Sequence, residues 1–192
     1  MVARAPLAIL ISGRGSNMSV LMEAARRPDC PYEVVLVASN NPDAPGLDIA
    51  RRAGIATFAH SHKGLKRAEF DAIIDRALRE AGVRYVALAG YMRILSEEFV
   101  AGWQGRMLNI HPSLLPRYKG LDTHLRAIEA GDSEAGCSVH IVTATLDDGE
   151  VVGQARVPIL PGDTPETLAD RVLIAEHRLY PAALADYIRA HG

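Results

Sequence analysis

Apolar runs of strand length alternate along this chain with segments whose apolar residues recur at helical spacing. Leu7–Ile11 reads as a first buried strand and Met18–Arg27 as the helix that follows. Glu33–Ser39, rich in valine, reads as a second strand, Gly46–Ala53 as a short helix and Ala56–Ala59 as a short third strand. Within Leu65–Ala81, the residues Phe70, Ile73, Ile74, Ala77 and Leu78 share one helical face. Tyr85–Ala89 is a fourth strand, and Ser96 caps a short helix beginning at Glu97. Met107–Ile110 is a fifth strand, and Leu121–Ala130 is a helix stopped by Gly131. Such alternation predicts βαβ units, hence an α/β fold whose mainly parallel sheet carries helices on both faces.

The pattern changes after Gly131. Ser138–Thr143 and Val151–Pro158 flank a turn rich in Asp and Gly, which predicts a late antiparallel hairpin. Thr164 and Pro165 open a last long helix, with the proline in its first turn. Leu168, Val172, Ala175 and Leu179 form its predicted buried stripe, and Pro181 is expected to break or kink it. No repeat, linker or low-complexity tract interrupts the 192 residues, so one domain is expected.

Composition narrows the class. A chain 48% hydrophobic and 23% charged can build the core of a soluble globular protein. A net charge of −2 gives no general attraction to nucleic acid, so any anionic ligand must be held by local groups. Cys30 and Cys137 are far apart and lack CxxC or His-rich company, which argues against zinc and against a disulfide framework. That usage fits a reducing, cytoplasmic setting. Cys137 lies in an apolar run and reads as a small buried residue. Leu7–Ile11 is too short for a signal-peptide core, and no run reaches the length of a membrane span.

Two stretches carry candidate chemistry. Ser12-Gly13-Arg14-Gly15-Ser16-Asn17 joins the first strand to the first helix. Its glycines permit a sharp turn and close approach to a ligand, and the helix start offers free N–H groups and a positive dipole end. The loop can cradle a phosphate. It is neither a complete GxGxxG nor a Walker loop, and a plain strand-to-helix turn would look the same. In the second stretch, Asn109 and His111 stand two apart at a strand end, so their side chains point the same way. Asn109 can donate to an oxyanion and His111 can move a proton. Asp147 can orient the imidazole, although Asp147 and Asp148 taken alone read as turn formers. No Gly-x-Ser-x-Gly elbow and no HExxH cluster is present. His140, in an alternating strand, reads as core or as a supporting contact; His60 and His62 read as loop residues. The set suggests acyl transfer by polarisation and proton relay, without a metal.

Several of these stretches occur together in one known family. Leu10 through Asn17, Leu88-Ala89-Gly90-Tyr91-Met92-Arg93-Ile94-Leu95 and Leu108 through Pro116 are followed by Ser138-Val139-His140 and Leu146-Asp147. Pro161-Gly162-Asp163-Thr164 and Glu176-His177 complete the series. In this order and spacing the chain resembles the folate-dependent phosphoribosylglycinamide formyltransferases over nearly its whole length. The resemblance implies a Rossmann-like formyltransferase fold spanning residues 1–192 as a single domain, with a phosphate-binding N-terminal half and a folate-binding, catalytic C-terminal half. It implies formyl transfer from 10-formyltetrahydrofolate to the amine of 5-phosphoribosylglycinamide in de novo purine biosynthesis. Asn109, His111 and Asp147 match the family's catalytic residues. Gly13, Gly15, Ser16 and Asn17 match the loop for the substrate phosphate, and Glu176 matches a contact to the ribonucleotide. Arg67, Met92, Arg93, Ile94, Leu95, Thr143, Ala144, Thr145 and Leu146 match the folate side. The partners so implied are small molecules, with no metal, nucleic acid or membrane, and the reading is compatible with a homodimer.

There are departures. Asp147-Asp148-Gly149-Glu150-Val151-Val152 lacks the proline usual near this turn and sets a second carboxylate beside Asp147. Asp122 precedes Thr123-His124 where other members often differ. A methionyl-tRNA formyltransferase would show Arg-Gly-Ala-Ala-Pro after Leu114-Leu115-Pro116, where Tyr118 through His124 follows instead. A formyltetrahydrofolate hydrolase shares the Asn-His-Asp set, but the Gly13–Asn17 loop favours a phosphorylated acceptor over water. A non-catalytic folate- or nucleotide-binding module would not need all three catalytic positions.

Overall fold

Alternation along the first strand decides where the helices go. In the computed structural model, which describes residues 3–192, β1 (Ala5–Ile11) sends Leu7, Ile9 and Ile11 to one face and Ala8 and Leu10 to the other. The first face packs on α1 (Ser16–Ala25), α2 (Pro45–Arg52), α5 (Thr123–Glu129) and α6 (Pro165–His191). The second packs on α3 (Arg67–Glu80) and α4 (Glu97–Gly102), through Phe70, Ile74, Leu78, Phe99 and Val100. Both faces are therefore apolar, and the strands read as continuous hydrophobic runs.

The other strands are β2 (Tyr32–Ser39), β3 (Thr57–Ala59), β4 (Tyr85–Leu88), β5 (Met107–His111), β6 (Glu134–Ile141) and β7 (Val151–Pro158). Their order is β3-β2-β1-β4-β5-β6-β7. Strands β1 to β5 pair in parallel, and β6 and β7 add antiparallel. This is the Rossmann-like arrangement with a late antiparallel portion. The chain runs outward from β1 in both directions, so the crevice between the loops after β1 and β4 lies at the switch in strand order. Doubly wound sheets bind ligands there.

Four expectations need correction. Pro181 neither breaks nor ends the last helix, which runs unbroken from Pro165 to His191. Proline removes one N–H, and the buried Tyr180, Ala183, Leu184 and Ile188 hold the backbone on the sheet across that gap. The buried line of this helix is Leu168, Val172, Glu176 and Tyr180, whereas Ala175 and Leu179 are only partly covered. Strand β6 begins at Glu134, four residues before the expected Ser138, and ends at Ile141. Gly136 lies inside it because a Cβ there would overlap the Ala155 carbonyl of β7. The helix expected from Leu121 begins at Thr123, since Asp122 has a left-handed φ of 56°.

Candidate active site

Antiparallel pairing of β5 with β6 builds the centre of the site. Asn109 faces His140 across the ladder and His111 faces Ser138. Both β5 side chains project from one side of the strand, as their spacing requires. The Asn109 amide donates to His140 Nε2 at 3.2 Å, and His140 Nδ1 donates to the Ile141 carbonyl at 3.1 Å. His140, 2% exposed, therefore orients the Asn109 amide. Sequence reasoning left its role open. Its place two residues from Ser138 on an alternating strand was the signal, but only the β5–β6 register shows that it meets Asn109.

Asp147 arrives from the turn between β6 and β7. Its φ of 50° puts it in the left-handed region, which Asp tolerates better than most residues. Oδ2 lies 3.4 Å from His111 Nδ1 and accepts the Gly120 N–H at 3.0 Å. Oδ1 lies 3.6 Å from His140 Nε2. Protonation of His140 would convert that nitrogen from acceptor of the Asn109 amide to donor towards Asp147. Burial pushes the Asp147 carboxyl up, but the His140 contact, the Gly120 N–H and the charge of the two imidazoles outweigh it and hold it below the ordinary carboxylate range. On the far side of the His111 ring, Nε2 donates to the Tyr118 carbonyl at 3.0 Å. A doubly protonated His111 satisfies both of these acceptors.

The β6–β7 turn closes tightly. A Cβ at Gly149 would overlap the Ile141 carbonyl. Gly149→Ala is expected to displace Asp147 and lower kcat at least ~10-fold, read by steady-state turnover. Asp148, the extra carboxylate, turns outward and pairs with Lys119. Both partners are exposed, so the pair contributes at most about 1 kcal/mol.

A cavity of about 110 Å³ opens beside Asn109, His140 and Asp147. Its walls are Leu88, Tyr91, Arg93, Ile94, Leu95, Val100 and residues 142–146. Seven of the nine residues assigned to the folate side line it: Arg93, Ile94, Leu95, Thr143, Ala144, Thr145 and Leu146. Met92 and Arg67 do not. Met92 is 72% exposed, and Arg67 is an exposed residue in the first turn of α3. The Arg93 guanidinium lies 4.8 Å over the Phe70 ring, with Nε 4.0 Å from buried Asp71. Its side chain thus fastens the segment inward.

On the other side of the switch point, Gly15 caps α1 with φ 74°, and no side chain caps that helix start. A Cβ at Gly15 would press on Met18, whereas Gly13 has open space around it. Ser16 is exposed. Asn17 donates to Glu176 at 2.7 Å, joining α1 to α6 across 159 residues of sequence. Burial pushes the Glu176 carboxyl up, and the Asn17 amide opposes this. The Asn17 Oδ1 is buried without a partner. Among the described residues no group of three or more His, Cys, Asp or Glu side chains could hold a metal ion. No helix among them is long and apolar enough to cross a membrane.

The family model for formyl transferases matches residues 5–184. This chain belongs to the formyl transferase family. It is 44% identical to phosphoribosylglycinamide formyltransferase of Escherichia coli over 180 residues, covering 93% of this chain and 85% of that protein. It is 48% identical over 182 residues to the human trifunctional purine biosynthetic protein adenosine-3, of which it spans only 18%. The crystal structure of phosphoribosylglycinamide formyltransferase from Brucella melitensis superposes with a TM-score of 0.93 at 50% identity, covering 97% of this chain and 96% of that one. Formyl transfer needs one place for a formyl donor and one for an acceptor.

Proposed function

We propose that this formyltransferase moves the formyl group of 10-formyltetrahydrofolate to the amine of 5-phosphoribosylglycinamide, a step of de novo purine biosynthesis. The observation that carries the reading is the pairing of His111 with Asp147 next to a cavity lined by Asn109 and Asp147. Relatives named for this acceptor, matched over most of their length, support it.

The residues fit the two substrates. The uncapped, Gly-containing start of α1 offers N–H groups to the phosphate through Gly13, Gly15, Ser16 and Asn17. Buried Glu176, held by Asn17, offers carboxylate oxygen to ribose hydroxyls. Ile94, Leu95, Leu88 and Val100 give the apolar walls that a pterin ring needs, and residues 143–146 supply backbone polar groups at its edge. Arg67 and Met92, outside the cavity wall, would meet the more exposed part of the donor. Residues 1–192 act as one domain, with the acceptor loop in its N-terminal half and the donor wall and catalytic set following.

The chemistry then follows from the geometry. The acceptor amine attacks the formyl carbon, and charge develops on the formyl oxygen. Asn109 and protonated His111 stabilise that oxygen. For this, His111 Nε2 exchanges its bond to the Tyr118 carbonyl for the reacting group. Asp147 holds the charged imidazole through Nδ1, and a proton passes from the attacking amine to the departing folate nitrogen. The reading is tested by mixing enzyme, 10-formyltetrahydrofolate and glycinamide ribonucleotide and following deformylated folate by absorbance. Acceptor-dependent turnover is expected. Binding of both ligands without turnover, or deformylation that does not need the acceptor, would overturn it.

A further inference from the structure

The Ser12 hydroxyl lies where the two substrate loops meet. Strands β1 and β4 pair in parallel up to Leu10 and Leu88, and the Ala89 N–H still donates to the Leu10 carbonyl at 2.9 Å. Beyond this the chains leave the sheet. Ser12 carries the pairing on. Its N–H donates to the Gly90 carbonyl at 3.2 Å, and its Oγ accepts the Met92 N–H at 2.8 Å. A side-chain oxygen here takes the place a backbone carbonyl would hold in a continuing ladder.

The hydroxyl is itself oriented. Ser12 Oγ donates to Asn40 Oδ1 at 2.6 Å, which leaves a lone pair for Met92. Asn40 follows β2 and is 6% exposed. Its Nδ2 and its carbonyl both face His62 Nδ1, at 3.2 and 3.0 Å. A chain of polar groups therefore runs along the carboxyl edge of the sheet from Met92 through Ser12 and Asn40 to His62. The next residue is also fixed, since the Gly13 carbonyl accepts the Gly46 N–H at 3.1 Å.

We infer that Ser12 is a positioning residue that sets the distance between the acceptor and donor sites. This rests on the reading of Gly13–Asn17 as the phosphate loop and of the segment after Met92 as the donor wall. Each substrate is anchored to its own loop. Transfer needs the amine within ~3–3.5 Å of the formyl carbon, and misplacement by ~1 Å can cost ~100-fold in rate. The sheet fixes the strands, but Ser12 fixes the loops against each other. Losing the hydroxyl leaves both binding sites complete while freeing their separation.

The test compares wild type, Ser12→Ala and Ser12→Thr in steady-state formyl transfer to glycinamide ribonucleotide, with melting temperature measured beside it. Ser12→Ala is expected to lose ~10- to 100-fold in kcat, with both KM values within about threefold of wild type. Ser12→Thr, which keeps the hydroxyl, restores most of the rate. Undiminished kcat in Ser12→Ala would overturn the inference. So would a loss confined to one KM, or a fall in melting temperature that Ser12→Thr shares without recovering rate. Wild-type enzyme that fails to formylate the ribonucleotide would instead overturn the function proposed above.

Discussion

His111→Ala is expected to lower kcat by ~10³-fold while leaving the affinity for glycinamide ribonucleotide within about threefold. The imidazole is 6% exposed and is held at both nitrogens, by Asp147 and by the Tyr118 carbonyl. Alanine removes the only part of the set that both carries a proton and meets Asp147 Oδ2. The acceptor loop stands on a different strand, and its contact to Glu176 runs through α1 and α6 rather than through β5. Binding and chemistry should therefore separate. Single-turnover transfer measures the first effect and calorimetric titration with the ribonucleotide measures the second. Unchanged turnover would mean that another group carries the proton. A comparable loss of ribonucleotide affinity would mean that His111 belongs to the binding site and not to the reacting centre alone.

The parallel sheet could be read from sequence because β1, β4 and residues 34–38 of β2 are apolar runs, as expected for strands covered on both faces. The hairpin of β6 and β7 could be read because Asp and Gly cluster between two strand patterns. Where local rules conflicted with packing, the reading went astray. Strand β6 reaches back to Glu134 because Gly136 lets it approach β7, a tertiary contact that local propensity does not encode. Pro181 is expected to break or kink the last helix, but buried neighbours on both sides carry the helix through it. Glu176 interrupts a buried stripe that periodicity alone would have filled with Ala175 or Leu179.

The site shows the same division. Asn109 and His111 share a surface because strand geometry dictates it over two residues. That Asp147 meets His111, or Asn17 meets Glu176, depends on register and helix docking over long separations, which spacing does not encode. The resemblance to a known family sets Asp147 beside His111 but does not pair Asn17 with Glu176; the structure brings both pairs within contact. His140 was underread for the same reason: its partner lies across a ladder whose register no single strand reveals. Met92 stands apart from its neighbours: its side chain is exposed outside the cavity wall, while its N–H is held by Ser12.

Asp147→Asn isolates charge from shape and should cost ~10²- to 10³-fold in kcat with little change in either KM. The amide oxygen can still accept the Gly120 N–H, so the left-handed turn is retained. What is lost is the negative charge 3.4 Å from His111 Nδ1. The same substitution gives a stability signature whose sign is fixed by the depressed carboxyl pKa. A carboxylate that titrates lower when folded stabilises the protein above its ordinary value of 3.8 and loses that contribution as pH falls through its folded value. Wild type should therefore be more stable than Asp147→Asn near neutrality, and the gap should close as pH falls below about 3.8. Since Asp147 stays ionised well below neutrality, a loss of activity between about pH 5 and 8 would not report this carboxylate. Denaturant unfolding of both proteins across acid pH measures the gap. A gap that stays constant into strong acid would show that Asp147 acts through shape rather than charge, and the electrostatic account of its role would fail with it.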